Sequence, residues 1–114
     1  MRMKYLLIFL CVLYSSITIA QKREVLNVPY YIQNDNDPYK QSQCKLDIYI
    51  PNNSSKSLPV IVWFHGGGLT RGTKAIPEEL KNDKFIIVSA EYRLGPKVLS
   101  PVIIEDAAAS VAWV

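Results

Sequence analysis

The feature that most constrains the fold is a pair of apolar runs that leave no polar face. Val60–Phe64 is a continuous run of β-branched and aromatic residues, and residues 85–90 form a second run of similar character. Such runs are typical of strands buried on both faces, which occur in parallel sheets covered by helices. Between them, residues 77–81 begin with proline and continue with two glutamates, which predicts a short helix. The sequence therefore predicts a strand, loop, helix, strand unit.

Further elements flank this unit on both sides. Residues 25–28 and 46–50 have strand character, and the second segment alternates apolar and polar side chains as a half-buried strand does. Residues 101–114 predict a crossover helix, because Pro101 suits the first turn and the body is rich in alanine. The chain reaches Val114 inside this pattern without a capping glycine or basic residue. We therefore expect an α/β sheet of about four strands with crossover helices, incomplete at its end.

The first residues have the layout of an export signal. Arg2 and Lys4 precede an apolar run that ends in a small-residue approach to Ala20. This layout predicts a secretory signal peptide over residues 1–20, cleaved after Ala20, and a secreted or periplasmic protein. A transmembrane anchor is the alternative, but the uncharged stretch at residues 5–20 is shorter than the roughly 20 residues that a spanning helix needs.

Composition excludes several classes of protein. The 114 residues provide for one domain at most, at residues 21–114 once the leader is removed. Two cysteines and one histidine argue against a disulfide scaffold or a zinc site, so we expect no metal and no cofactor, and a buried Cys44. Removing Arg2 and Lys4 from the thirteen basic residues leaves eleven against ten acidic ones, which gives no argument for a nucleic-acid partner.

A glycine-rich loop follows the first apolar run directly. Its three consecutive glycines, residues 66–68, remove the side chains that would keep a ligand away from backbone N–H groups, so the loop suits an anion. A phosphate fits less well than an oxyanion. The P-loop pattern would need lysine one residue earlier than Lys74, and a dinucleotide fingerprint would need glycine in place of Arg71. A glycine-rich turn without function remains an alternative.

The order of three segments carries a family resemblance. His65-Gly66-Gly67-Gly68 after an apolar strand is similar to the HGGG oxyanion-hole motif of α/β-hydrolase carboxylesterases and lipases. Glu91-Tyr92-Arg93-Leu94 after the second apolar run and Glu105-Asp106-Ala107-Ala108 in the predicted helix look like segments that follow in the same order in that family. The resemblance covers residues 46–114 and is nearest to the hormone-sensitive-lipase-like and feruloyl-esterase-like groups.

The resemblance implies roles for individual residues. The backbone N–H groups of Gly67 and Gly68 would bind the oxyanion that forms when a nucleophile attacks an ester. Asp106 would be a helix-end or loop-anchoring carboxylate rather than a catalytic acid. Loop support would come from His65, Gly66, Tyr92 and Arg93. His65 also has the chemistry of a general base, but a base needs a positioned nucleophile and the sequence offers none beside it.

The chain departs from the family pattern in one respect. It contains no Gly-x-Ser-x-Gly sequence, and its single histidine is His65, so we predict no catalytic residue. The resemblance thus implies the N-terminal part of an α/β-hydrolase domain, ending before the nucleophile elbow. Such a part would supply the oxyanion hole, but not the triad, to a secreted serine hydrolase of small-molecule esters. The alternative is a non-catalytic binding or interaction module, and we expect the isolated chain to self-associate.

Overall fold

The computed structural model describes residues 22–32, 35–52 and 57–114, so the predicted signal peptide lies outside the described residues. Four strands form one mixed sheet in the order β1-β2-β4-β3. β1 pairs with β2 and β2 with β4 in antiparallel fashion, whereas β3 and β4 are parallel. The strands are β1 (Arg23–Pro29), β2 (Lys45–Ile50), β3 (Val60–Phe64) and β4 (Ile86–Ala90). The predicted α/β fold class and its four strands are confirmed.

The helices differ in part from the sequence-based expectation. The predicted crossover helix is present as α2 (Ser100–Trp113). The short helix expected at residues 77–81 is present in part, as the 3-10 helix Glu78–Leu80. Asn82 ends it, since its side chain donates to the Leu80 carbonyl at 2.9 Å and accepts from the backbone of the following turn. Within the described ranges, no helix is both long and apolar enough to cross a membrane.

A helix that the sequence analysis did not predict lies between β1 and β2. This helix, α1 (Pro38–Gln43), begins in the polar stretch that precedes β2. Asp37 caps it, because its side chain accepts hydrogen bonds from the backbone N–H groups of Tyr39 and Lys40 at 2.9 and 3.2 Å. Proline in its first turn is a further start signal. An aspartate followed directly by proline was the sequence feature that could have revealed it.

The core lies between the sheet and α2. The register places Leu46 opposite Ala90, and their side chains share one face of the sheet with Val88. These residues, with Tyr30 and Cys44, form the buried cluster against which Ala109 of α2 packs. The prediction of a buried Cys44 is confirmed, since the residue is 2% exposed and its burial raises the pKa of the thiol to about 11.

The opposite face of the sheet is covered by the segment that follows the glycine loop. This segment, residues 73–81, is named the crossing segment below. Ser89 of β4 donates a hydrogen bond to the Ala75 carbonyl at 2.9 Å, and Lys74 forms an ion pair with Asp47 of β2 at 3.0 Å. The crossing segment therefore ties the end of the glycine loop to the two central strands.

The two apolar strands differ in burial. In β4 the last four residues are buried, as predicted. The prediction that β3 is buried on both faces is wrong: Val60, Trp63 and Phe64 are 42%, 40% and 36% exposed. The reason is position, because β3 lies at the edge of the sheet and, within the described part of the chain, pairs only with β4.

Candidate functional site

The glycine loop, residues 65–72, leaves the carboxyl end of β3 and turns back on itself. Its tight path requires backbone conformations that side chains disfavour, with φ values of 129° at Gly67 and 63° at Gly68. A Cβ atom at Gly67 would lie 1.9 Å from the Arg71 carbonyl oxygen. Glycine at this position is therefore needed for the loop to close.

A second glycine closes the loop at its far end. Gly72 has a φ of 106°, and a Cβ atom there would lie 2.4 Å from both the Gly66 carbonyl oxygen and His65 Nδ1. The sequence analysis did not identify Gly72 as a site residue. The signal was available, because a fourth glycine follows the triplet within the same loop.

In the part of the chain that the structure describes, the backbone N–H groups of Gly67 and Gly68 are unengaged. Among the described residues, neither group has a hydrogen-bond acceptor, whereas the Gly67 carbonyl accepts from the backbone N–H and hydroxyl of Thr70, both at 3.3 Å. Gly68 is exposed, and a Cβ atom there would meet no atom within 4 Å. Two adjacent N–H donors at a solvent-facing loop form an arrangement able to receive an anionic oxygen.

Three residues hold His65 in place. Its Nε2 lies 2.7 Å from Glu91 Oε1, and its Nδ1 lies 2.8 Å from the Gly66 carbonyl oxygen. Its ring stacks on that of Tyr92 with 4.5 Å between centroids, and the Tyr92 hydroxyl donates to the His65 carbonyl at 2.6 Å. The structure thus brings His65, Gly66 and Tyr92 together at the start of the loop. Both ring nitrogens face oxygen acceptors, and no described serine hydroxyl bonds to them.

Glu91 connects the start and the end of the glycine loop. Its Oε1 contacts His65, while its Oε2 accepts from the Thr73 hydroxyl and the Lys74 backbone N–H, both at 2.8 Å. The residue is 7% exposed. Burial, together with this nearby carboxylate, raises the pKa of the Tyr92 phenol, which favours its donor role. Glu91 was not among the site residues predicted from the sequence, although an acidic residue directly after a buried strand was a usable signal.

Arg93, predicted as loop support, lies apart from the glycine loop. Its guanidinium donates to both carboxylate oxygens of Asp106, at 2.9 and 2.7 Å, and its backbone N–H bonds to the same carboxylate at 3.1 Å. It also pairs with Asp37 at the start of α1, at 3.2 Å. Arg93 therefore connects the segment after β4 to both helices. The same segment contacts the glycine loop through Gly95, whose N–H donates to the Leu69 carbonyl at 2.9 Å.

Asp106 is fully buried on α2 and anchors the Arg93 segment. Burial alone would raise the pKa of this carboxyl. Hydrogen bonds from the Arg93 side chain and backbone and from the Tyr31 hydroxyl outweigh burial, so the pKa lies below its ordinary value of 3.8. The carboxylate therefore anchors the segment that contains Arg93. In the described ranges, no group of three or more His, Cys, Asp or Glu side chains could hold a metal ion.

A groove of about 450 Å³ runs beside the loop, and Thr73 at the end of the loop contributes to it. It is bordered by Thr70 and Gly72 of the loop, by Glu91, and by the turn at Gly95 and Pro96. The groove is large enough for a small molecule.

The sequence and the structure are similar to known proteins. Residues 46–114 match the BD-FAE protein family. The fold is similar to that of a solved structure of Bacterial Heroin Esterase, with a TM-score of 0.50 and 24% identity, covering 96% of this chain and 34% of that chain.

Curated proteins give matches of the same kind. The chain is 31% identical over 86 residues to probable carboxylesterase 1 of Arabidopsis thaliana, covering 65% of this chain and 27% of that protein. It is 34% identical over 65 residues to para-nitrobenzyl esterase of Bacillus subtilis (strain 168) and 34% identical over 64 residues to phenmedipham hydrolase of Pseudarthrobacter oxydans. Each of these two matches covers 52% of this chain and 13% of the relative, so the chain spans a small part of their length.

Proposed function

Because this chain belongs to the BD-FAE family and is related to α/β-hydrolase carboxylesterases, we propose that it supplies the oxyanion hole of a serine carboxylic-ester hydrolase. One observation carries the proposal. The N–H groups of Gly67 and Gly68 have no acceptor among the described residues, and they lie in a loop held at both ends after a strand of the sheet. Such donors suit a negatively charged oxygen.

The proposed chemistry is acyl transfer. A serine hydroxyl gives its proton to the histidine of the triad and attacks the ester carbonyl, and the electron pair of the C=O bond moves to the oxygen, which becomes an oxyanion. Collapse of the oxyanion expels the alcohol, which takes up that proton, and water then releases the acid from the serine. Gly67 and Gly68 stabilise that oxyanion, together with the N–H of the residue after the nucleophile. Loss of one such donor typically slows a reaction by about 100- to 1,000-fold, so the loop makes a large contribution to the rate.

The nucleophile, the acid and the base of the mechanism are not among the residues that match the HGGG motif. In the order of the α/β-hydrolase family, the nucleophilic serine, the acid and the histidine follow the HGGG loop along the sequence. We propose that they come from sequence beyond Val114 and that this chain alone is inactive. The substrate we propose is a small-molecule ester, since relatives include a carboxylesterase and para-nitrobenzyl esterase.

The coding sequence after codon 114 gives a direct test. We expect the frame to continue into Gly-x-Ser-x-Gly within about 20 to 50 residues, followed by an aspartate or glutamate and a histidine. The protein of the complete reading frame should hydrolyse p-nitrophenyl acetate and lose that activity when the serine is replaced by alanine. Activity that survives this replacement would contradict the proposal.

A binding module is the second candidate. His65 is engaged by Glu91 and Gly66, so in the described part of the chain the loop offers anion donors without a base and nucleophile beside them. Such a module would bind a carboxylate at Gly67 and Gly68. A stop codon directly after Val114, with millimolar acetate shifting the amide resonances of these two glycines in a monomeric protein, would favour it over the hydrolase.

We also propose export. The support is the leader layout at residues 1–20, with basic residues before an apolar run and a small residue at the cleavage position. N-terminal sequencing of the protein recovered outside the cytoplasm should begin at Gln21. Recovery of the chain in the cytoplasm with Met1 intact would contradict export.

A further inference from the structure

We propose that Glu91 is the positioning residue of the oxyanion hole, an inference that rests on the function proposed above. The carboxylate does not touch the anion-binding N–H groups. It acts through the two ends of the loop that carries them, His65 at the start and the Thr73-Lys74 pair at the end. Its ionised form offers an acceptor oxygen to each end at once.

The loop depends on this contact because, among the described residues, only the Glu91 side chain bonds to both of its ends, whereas Tyr92 contacts His65 at the start alone. Apart from Gly67, which is half-buried, the residues between the two ends, 66–72, are exposed. Three of them, Gly67, Gly68 and Gly72, are glycines at positive φ, and a glycine-rich segment loses more backbone entropy on ordering than other sequences do. A buried acceptor that binds both ends therefore restricts the positions that the Gly67 and Gly68 N–H groups can take.

The main chain of Glu91 is secured independently of its side chain. The Glu91 carbonyl accepts a hydrogen bond from the Tyr30 hydroxyl at 2.8 Å, and its N–H donates to the Lys45 carbonyl at 2.9 Å. Both bonds remain when the side chain is changed. A substitution that removes the side-chain oxygens, such as Glu91→Ala, thus releases the loop while the backbone of the segment after β4 keeps its partners.

Glutamine and alanine separate the possible roles of this side chain. In Glu91→Gln the amide oxygen accepts from the Thr73 hydroxyl and the Lys74 N–H. The amide NH₂ donates to Nε2 of His65 once the ring hydrogen moves to Nδ1, which faces the Gly66 carbonyl oxygen. Both ends of the loop stay connected. In Glu91→Ala both ends lose their partner, so a positioning role predicts a large defect in Glu91→Ala and substantial recovery in Glu91→Gln.

The test uses the protein of the complete reading frame and p-nitrophenyl acetate. For Glu91→Ala we expect kcat to fall about 10- to 100-fold with KM within about threefold of wild type, since the oxyanion forms only in the transition state. Glu91→Gln should recover kcat to within about 10-fold of wild type. The matched control is Ile103→Ala, which removes a buried side chain of α2 outside the loop and should lower the melting temperature without lowering kcat.

Amide hydrogen exchange across residues 65–74 supplies a second readout that needs no turnover. Exchange should accelerate in Glu91→Ala and stay near wild type in Ile103→Ala. A folded Glu91→Ala protein with wild-type kcat and wild-type exchange would overturn the inference. A Glu91→Gln protein whose kcat is no higher than that of Glu91→Ala would overturn it as well. A wild-type protein without esterase activity would instead overturn the proposed function, and the exchange result would then decide the role of Glu91 by itself.

Discussion

The ring of His65 lies flat on the ring of Tyr92, with 9° between the two planes and 4.5 Å between their centroids. The Tyr92 hydroxyl also donates to the His65 carbonyl at 2.6 Å, so one tyrosine contacts both the side chain and the main chain of the residue that begins the glycine loop. Phe64, the last residue of β3, packs on the same tyrosine with ring centroids 6.3 Å apart. The end of β3 is thus fixed against the segment after β4.

Tyr92→Phe separates the hydrogen bond from the stacking. The phenylalanine ring keeps its contact with His65 and leaves the His65 carbonyl without its donor, so the free energy of unfolding should fall by about 1 to 2 kcal/mol. Tyr92→Ala removes both interactions and should cost about 3 to 5 kcal/mol. Urea denaturation measures both values. Equal losses in the two variants would show that the ring contributes nothing beyond its hydroxyl.

Asp106 predicts a dependence of stability on pH. Because its pKa in the folded protein is lowered below 3.8, this carboxylate contributes stability above its ordinary pKa, and that contribution is lost as the pH falls through the lowered pKa. Asp106→Asn should reduce the free energy of unfolding at neutral pH by about 3 to 5 kcal/mol, since it breaks a buried ion pair. As the pH falls from 5 through the lowered pKa of Asp106, the variant should lose less of its free energy of unfolding than wild type loses. Parallel acid titrations of the two proteins would contradict this role.

Two neighbouring glycines form a matched pair for the loop. Gly67→Ala places a Cβ atom 1.9 Å from the Arg71 carbonyl oxygen at a φ of 129°, so the loop must shift and stability should fall by about 1 to 3 kcal/mol. Gly66→Ala meets no atom within 4 Å, and its change in stability should be the smaller of the two. Thermal unfolding of both variants checks this order, and the reverse order would contradict the loop geometry.

The exposed edge of β3 predicts self-association of the isolated chain. Val60 and Trp63 are 42% and 40% exposed on a strand that, among the described residues, has no partner on its outer side. Sedimentation velocity should show concentration-dependent association that Val60→Lys reduces. Leu99→Lys adds the same charge at a residue that is 77% exposed and outside β3, so it should leave the association unchanged. Equal effects of the two lysines would indicate a general charge effect instead.

Most of the fold could be predicted from periodicity. Apolar runs and alternation were sufficient for the four strands, and the match of residues 46–114 to the BD-FAE family agrees with the predicted relation to α/β-hydrolase carboxylesterases. Burial of β3 could not be predicted in the same way. A strand's composition indicates which environment suits it, whereas the neighbours that cover it depend on the order of strands in the sheet.

The candidate site was predictable where neighbours in sequence form it. The glycine motif is continuous, so its loop could be recognised, whereas Glu91 reaches His65 across 26 positions through the pairing of β3 with β4. Arg93 shows the reverse. It follows Tyr92 directly, but its side chain bonds to Asp106 of α2 instead of the loop, a contact that depends on where α2 packs.

The central claim is that Gly67 and Gly68 receive the oxyanion. Diethyl p-nitrophenyl phosphate phosphorylates the serine of such hydrolases, and its phosphoryl oxygen then occupies the position of the oxyanion. In the ¹⁵N-glycine-labelled protein of the complete reading frame, the amide protons of Gly67 and Gly68 should shift downfield on reaction, more than that of Gly72. Phosphorylation that leaves both resonances where they were would contradict the account.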